Sequence, residues 1–398
     1  MSRRVYMDHS ATTPVRNEVV EAMLPYFTGT FGNASSVHGF GREARQALDR
    51  ARETVASCIG AQPEEIIFTS GGTESDNLAV KGAALANQKK GRHVVTSAIE
   101  HHAVLYPCQW LEERGFEVSR LAPDGDGLIS ADTLRSALRS DTCLVSIMLA
   151  NNEVGVVEPI AELSAAAGEA GGAFHTDAVQ ACGKMPVNVR ELGVDLLTMS
   201  AHKFYGPKGV GVLYRRKGVR IEPMMQGGHH EKNLRAGTEN VAGIVGLAEA
   251  LRLACAEMPR ESERLARLRD RLQGGILSGI ADVRVNGHLT SRLPHIVNVS
   301  ILGVEGESML LGLDARGIAV STGSACTSGS LEPSHVLTAM GIPPEVAHGS
   351  LRFSLGLANT EEDVDYVLDA LQGVVQRLRE MSPTYLPAGR QAGHRGQS

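Results

Sequence analysis

The stretch CLVSIMLA, residues 143–150, is apolar at nearly every position. A strand with one wet face alternates apolar and polar residues, whereas a strand buried on both faces does not. The stretch therefore reads as an inner strand with layers packed above and below it. The flanking sequence agrees. Before it, EEIIFTS (64–70) and RHVVTSA (92–98) read as strands, followed by the helical stretches TESDNLAVKGAAL (73–85) and HAVLYPCQWLEERG (102–115). After it, a helix near 159–170 precedes short strands at GAFHTDA (172–178), VDLLTMS (194–200) and GVGVLYR (209–215). Strands separated by helices define an α/β fold with a mainly parallel sheet flanked by helices.

The character changes near residue 260. ESERLARLRDRLQGGI (261–276) sets Leu265, Leu268 and Leu272 at helical spacing. The short strand candidates VRVNG, HIVNVSI and LRFSLG follow, interleaved with helices, and TEEDVDYVLDALQGVVQRLREM (360–381) is a long last helix. The expected division is an N-terminal segment, 1–15, packing with the small domain; a large domain, 16–258; a smaller C-terminal α+β domain, 259–383; and a disordered tail, 384–398, polar and rich in glycine.

Composition sets the bounds. The chain has 398 residues, 42% hydrophobic and 21% charged, enough for two globular domains. A net charge of −6 leaves no basic excess to neutralise phosphates, so nucleic acid is not the expected partner. No apolar segment approaches the ~20 residues that span a bilayer, and the opening MSRRVYMDHS has no apolar run behind it. Six cysteines with no C-x-x-C pair do not suggest a disulfide framework, and a reducing cytoplasm is the expected setting.

Chemistry gathers around TMSAHKFYGPKG, 198–209. Lys203 follows an apolar strand and precedes a Gly-Pro turn, at the strand end where open α/β sheets bind ligands. Alone, it would read as a surface lysine. Three features accompany it. TSGGTESDNL runs from strand through a Gly-Gly turn into a helix, so backbone amides at Gly72 and the Thr73 hydroxyl can meet a phosphate; the plain alternative is an ordinary turn. FHTDAVQ puts Asp177 at the end of a buried strand, where a protonated ring nitrogen would suit it and Gln180 could reach the same ligand; the alternative is a helix cap. SAIEHHAV puts His101 at another strand end, placed to stack on a flat ring or to be merely solvated. A metal at His101 and His102 is discounted, because adjacent helical residues point different ways and no acid lies at ligand spacing. A phosphate cradle, an acid, a stacking imidazole and an amine together describe a pyridoxal 5'-phosphate site.

STGSACTSGS (321–330) sets Cys326 among small residues and reads as a mobile loop carrying a thiol. The other cysteines, Cys58, Cys108, Cys143, Cys182 and Cys255, fall in or at the ends of expected helices and strands, where packing accounts for them.

From about residue 5 to 383 the chain resembles the cysteine desulfurases, class V relatives of the aminotransferases with the fold type I of pyridoxal phosphate enzymes. The matching motifs are MDHSATTPV, FTSGGTESDN, EHHAV, NNEVG, HTDAVQ, SAHKFYGPKG, RAGTEN, SGSLEPSHVL and RFSLG. TGSACTSGSLEPSHVL and GGHHEKNLRAGTEN resemble the NifS/IscS group. The resemblance implies a homodimer that converts L-cysteine to alanine and passes the sulfur to an acceptor or Fe–S scaffold protein. It implies that Lys203 carries the cofactor and handles the substrate's Cα proton. Asp177 would pair with the ring nitrogen, and His101 would stack and handle protons. Asn152 and Gln180 would bond the ring hydroxyl, while Gly72, Thr73, Ser200 and His202 would hold the phosphate. Thr238 would reach that phosphate from the other subunit. Arg352 would bind the substrate carboxylate with Asn33 and Asn152 near it, and Cys326 would be the nucleophile that carries the sulfur as a persulfide. Two departures, Ala34 for a common proline and Ala201 for a common glycine, are both small. The tail matches no motif, so it leaves the acceptor's identity and the sulfur's destination open. The competing readings are a selenocysteine lyase or another class V enzyme, and a sulfur carrier with degenerate catalysis. A loop thiol has no use in a plain aminotransferase, and the intact Lys203, Asp177, His101 and Arg352 have none in a mere carrier.

Overall fold

The computed structural model describes residues 3–322, 332–381 and Tyr385. Its centre is a seven-stranded sheet in the order Ile66–Thr69, Gly211–Arg215, Leu196–Ser200, Ala173–Asp177, Thr142–Ser146, His93–Ser97, Glu117–Leu121. The last five strands pair in parallel, and Gly211–Arg215 runs antiparallel to both of its neighbours. The apolar reading of 143–150 is borne out in its first half: the strand spans Thr142–Ser146 and is buried throughout. Successive residues point to opposite faces of a strand. Here Val94, Leu144 and Leu196 enter the core on one face, with Leu78 and Leu111. Their neighbours Val95, Val145 and Leu197 enter the core on the other, with Leu48, Val55 and Leu251. Both faces are covered, which is why these strands carry no polar stripe.

The edge strand Glu117–Leu121 is absent from the sequence reading. Its residues EVSRL expose the charged Glu117 and Arg120, as an edge that must not pair with another chain requires. The four-stranded antiparallel sheet Ser321–Thr322, Ser350–Ser354, Ile296–Ile301, Val283–Val285 builds the smaller C-terminal layer. Its core takes Val297, Val299, Leu351 and Phe353 from the sheet and Val364, Val367 and Leu371 from the helix Glu361–Met381.

The helix expected at 261–276 is the second half of a longer one, Val241–Gly279, which passes through Pro259. Its first half gives Leu247 and Leu251 to the large core, its second half Leu265, Leu268 and Leu272 to the small one. The boundary expected at 258/259 therefore falls inside one continuous helix. The N-terminal segment touches both parts. Val5–Tyr6 pairs in parallel with Ile318–Ala319, and Thr13 N donates to His202 O at 2.9 Å. The tail expected at 384–398 lies outside the described residues apart from Tyr385, whose hydroxyl donates to Asp282 Oδ2 at 2.8 Å.

Candidate active site

The carboxyl ends of the parallel strands converge on a cavity of about 280 Å³. Its walls include Gly72, Thr73, His101, Asn152, Asp177, Gln180, Ser200, His202, Lys203 and Arg352. All but Arg352, which sits midway along Ser350–Ser354 of the smaller sheet, come from the end of a strand or the segment after it. Gly72 and Thr73 open the helix Gly72–Asn87 just beyond Ile66–Thr69. His101 caps the helix His102–Glu112 after His93–Ser97. Asp177 ends its strand, and Lys203 closes the short 3₁₀ turn Ala201–Lys203 that follows Ser200. Tyr205 then reverses the chain at φ 67° and is held at both ends. Its amide donates to Thr13 Oγ1 and its hydroxyl accepts from Leu357 N, each at 2.8 Å.

The Lys203 amine donates to the carbonyls of Ser10 at 2.5 Å and Ala11 at 2.7 Å. Ser10 O also accepts from Gln180 Nε2 at 3.0 Å, so the N-terminal segment forms one wall of the site. Asp177 Oδ1 accepts from Val179 N at 2.8 Å. Burial pushes the Asp177 carboxyl up to about 6, against the downward pull of the Val179 amide and of charged Lys203. Burial first, and then the Lys203 charge, bring His101 down to about 4, so its imidazole is neutral at pH 7. His101 Nδ1 accepts from Ala103 N at 3.1 Å, which puts the ring's proton on Nε2. Partial burial likewise lowers the His202 ring, to about 4.

Arg352 is buried at 1% exposure. It donates to Asn152 O at 2.9 Å and to Asp8 Oδ1 at 2.8 Å, and Asp8 Oδ1 also accepts from Ser321 Oγ at 2.9 Å. The buried strand Ser350–Ser354 aims the arginine inward. Ala201 fits without a clash because residue 206 is glycine: a Cβ there would lie 2.8 Å from the Ala201 methyl. Two expected residues are not among the cavity walls. Asn33, expected near Arg352, is exposed, and its side-chain oxygen accepts from Ser35 N at 2.9 Å. Thr238 is exposed and lines a separate recess of about 100 Å³ with Ser70, Glu231 and Arg235. Cys326 lies outside the described residues.

Sequence reading missed Asp8, the Ser10 and Ala11 carbonyls, and Asp76. Asp76 lines the cavity and is fully buried. Burial and the nearby Asp177 charge hold its carboxyl well above the ordinary range. Its signal was available: on a helix, 76 shares a face with 79, 80 and 83, all apolar and buried, so an acid there is out of place. Backbone carbonyls have no such signal, because every residue carries one.

The donor set suits pyridoxal phosphate. At one end stand the amides of a 16-residue helix, the Thr73 and Ser200 hydroxyls and His202. Residue 72 admits nothing larger than glycine without crowding, since a Cβ would come within 3.0 Å of Val179 Cγ2. Glu74, an acid in the first turn of that helix, is neutralised by Arg235 at 2.8 Å, so the helix end keeps its positive character. At the other end sits a buried acid, and Ser10 Oγ in the wall has no partner among the described residues.

An amine, an acid and a phosphate cradle at the strand ends of such a sheet define the aminotransferase-like class of enzymes. The class-V aminotransferase family profile matches residues 5–367, and the chain belongs to that family. Within it the chain is 58% identical over 383 residues, 96% of this chain and 97% of the relative, to the cysteine desulfurase IscS of Dictyoglomus turgidum. Among solved structures, a NifS-like protein superposes with a TM-score of 0.89 at 39% identity, covering 94% of this chain and 100% of that one. SspA in complex with cysteine superposes at 0.79 and 38% identity, covering 88% and 98%. Among the described residues no helix is long and apolar enough to cross a membrane.

Proposed function

We propose that this chain is a cytoplasmic L-cysteine desulfurase that holds pyridoxal 5'-phosphate in the strand-end cavity and passes sulfur from Cys326 to an acceptor for Fe–S cluster assembly. The observation that carries the reading is the convergence of Lys203, Asp177 and the Gly72–Thr73 helix end on one cavity. When bound, the pyridoxal ring supplies a sink for the electrons of an amino acid's α-carbanion. Lys203 would hold the cofactor through its amine, and that amine would take and return the proton at the substrate's Cα. Asp177 keeps a proton on the ring nitrogen, and the cation there offsets the desolvation that holds its own carboxyl high. Neutral His101 stacks on the ring. Gly72, Thr73, Ser200 and His202 bind the phosphate, Asn152 and Gln180 the ring hydroxyl, and Arg352 the substrate carboxylate as a bidentate fork. The Cys326 thiolate takes the substrate's sulfur as a persulfide, and alanine remains.

We also assign a homodimer in which Thr238 serves the partner's phosphate. Residues 24–40 expose Leu24, Phe27, Phe31, Val37 and Phe40, an apolar surface of the kind that marks an interface.

The test is product analysis of the cofactor-loaded protein with L-cysteine and a reductant. Alanine and sulfide should form in equal amounts, and Lys203→Ala should lose at least ~100-fold in rate. Borohydride reduction and peptide mapping should leave the pyridoxyl group on Lys203. Its appearance on Lys184 or Lys208 would overturn the assignment.

A further inference from the structure

Three cysteines outside the active site line one cavity. Cys58 near the end of the helix Gly39–Ile59, Cys255 midway along Val241–Gly279, and Cys182 in the turn after Asp177 border a recess of about 250 Å³. Packing accounts for Cys182, which is buried at 1% exposure, as it does for Cys108 and Cys143. It does not account for Cys58 and Cys255, which are both free thiols and only half-buried. A cysteine that merely occupies core volume sits fully inside. These two meet thiol to thiol across the seam between their helices.

The structure assigns Cys58 and Cys255 as a dithiol modification site for hydroperoxides, closing to an intramolecular disulfide that ties the helix Gly39–Ile59 to the helix Val241–Gly279. This goes beyond the desulfurase reading and does not depend on it.

Three observations support the site. The first is the asymmetry of the pair. The hydrogen bond from Cys58 lowers the Cys255 thiol, and the same bond raises Cys58. Cys255 is thus the readier of the two to ionise while Cys58 holds its proton, which is the division of labour that attack and resolution require. The second is position: both sulfurs border the same recess, on two helices that pack against each other. The third is the recess. Ile59, Met185, Val187, Leu251 and Met258 make it largely apolar, and Glu191 at its border is acidic. Such a recess admits a small neutral oxidant and disfavours an anionic disulfide of peptide size. Gly183 keeps the third wall close, since a Cβ there would approach Ala254 to 2.9 Å at φ +74°.

The chemistry balances. The Cys255 thiolate attacks one peroxide oxygen, the O–O bond breaks, and hydroxide leaves Cys255 as a sulfenic acid. The Cys58 sulfur then attacks the Cys255 sulfur. The S–O bond breaks, the departing hydroxide takes the Cys58 proton, and an S–S bond forms. Two thiols lose two electrons in all, and one peroxide is reduced to two waters.

The test uses the cofactor-loaded full chain carrying Cys326→Ala, which removes the loop thiol from the count and leaves five of six cysteines. Stoichiometric hydrogen peroxide should consume two thiols. Non-reducing peptide mapping should link Cys58 to Cys255 within one chain. Closing a loop of roughly 200 residues should raise Tm by about 5 °C, reversibly with dithiothreitol. With Cys58→Ser added, dimedone should label Cys255. Five surviving thiols, a bridge involving Cys108, Cys143 or Cys182, or a bridge between chains would each overturn the site. Dimedone on Cys182 would overturn the role given to Cys255.

Discussion

At the scale of single residues, the informative feature is a carboxyl kept where it costs stability. Asp177 is fully buried, and its carboxyl sits at about 6 rather than the ordinary 3.8. The native state of the cofactor-free protein therefore binds this proton more tightly than the unfolded chain does. By linkage, the group lowers stability progressively as pH rises from about 4 to 6, and the whole penalty is present above that window. Asp177→Asn cannot ionise. It should stabilise the cofactor-free protein by ~2–3 kcal/mol at pH 8 and by almost nothing at pH 4. Urea unfolding at the two pH values reads the difference, and an equal effect at both would remove the desolvation argument. The same substitution should abolish turnover, because an amide cannot hold the ring nitrogen's proton. A destabilising acid is retained because the ligand, not the fold, is its partner.

At the scale of elements, the phosphate cradle is set by one backbone conformation. Gly71 precedes the helix Gly72–Asn87 at φ +153° and ψ −178°, a region that only glycine occupies readily. A Cβ on Gly71 would meet only Ser200 Oγ, at 3.9 Å, so space is available and strain alone resists substitution. Gly71→Ala should cost ~1–3 kcal/mol and either persist strained or rotate the helix's first amides out of aim. Cofactor affinity should fall by roughly 10–100-fold while the protein stays folded, as absorbance titration and circular dichroism would register. Unchanged affinity would show that the turn does not aim the cradle. This element was legible as Gly-Gly between a strand and a helix, and so were the buried strands, whose unbroken apolar runs leave no other reading. The edge strand Glu117–Leu121 was not legible, because its solvent-facing residues resemble a loop. Nor was the first half of Val241–Gly279, where an internal proline and an alanine-rich, all-round apolar run obscure the period. Lys203, Asp177 and His101 could be found because each has a distinctive side chain at a strand end. The Ser10 and Ala11 carbonyls that hold Lys203 could not, because their contact arises from tertiary packing across 192 or 193 positions of sequence.

At the scale of the whole molecule, the open matter is which chain completes the phosphate site. Arg235 ties the segment bearing Thr238 to Glu74 in the first turn of the cradle helix, yet Thr238 itself is exposed and outside its own chain's cavity. An exposed hydroxyl, on a chain that also exposes an apolar surface at 24–40, is available to act across an interface. Thr238→Val removes the hydroxyl at nearly constant volume and should weaken cofactor binding by roughly 10–100-fold, the worth of a hydrogen bond to a charged group. That loss alone would not say whose site Thr238 serves. Mixed dimers separate the cases. Pair a chain carrying Lys203→Ala with one carrying Thr238→Val. If Thr238 acts across the interface, the site on the second chain has its own Lys203 and an intact Thr238 from the first, so one wild-type site is rebuilt. Its cofactor affinity should equal that of the wild type, with about half the wild-type turnover per dimer at limiting cofactor. If Thr238 acts within its own chain, one site lacks the lysine and the other lacks the hydroxyl. No site then binds normally, and activity at limiting cofactor stays at the Thr238→Val level. Purified heterodimers bearing two different affinity tags give the measurement, and failure to recover one tight site would refute the assignment of Thr238 to the partner.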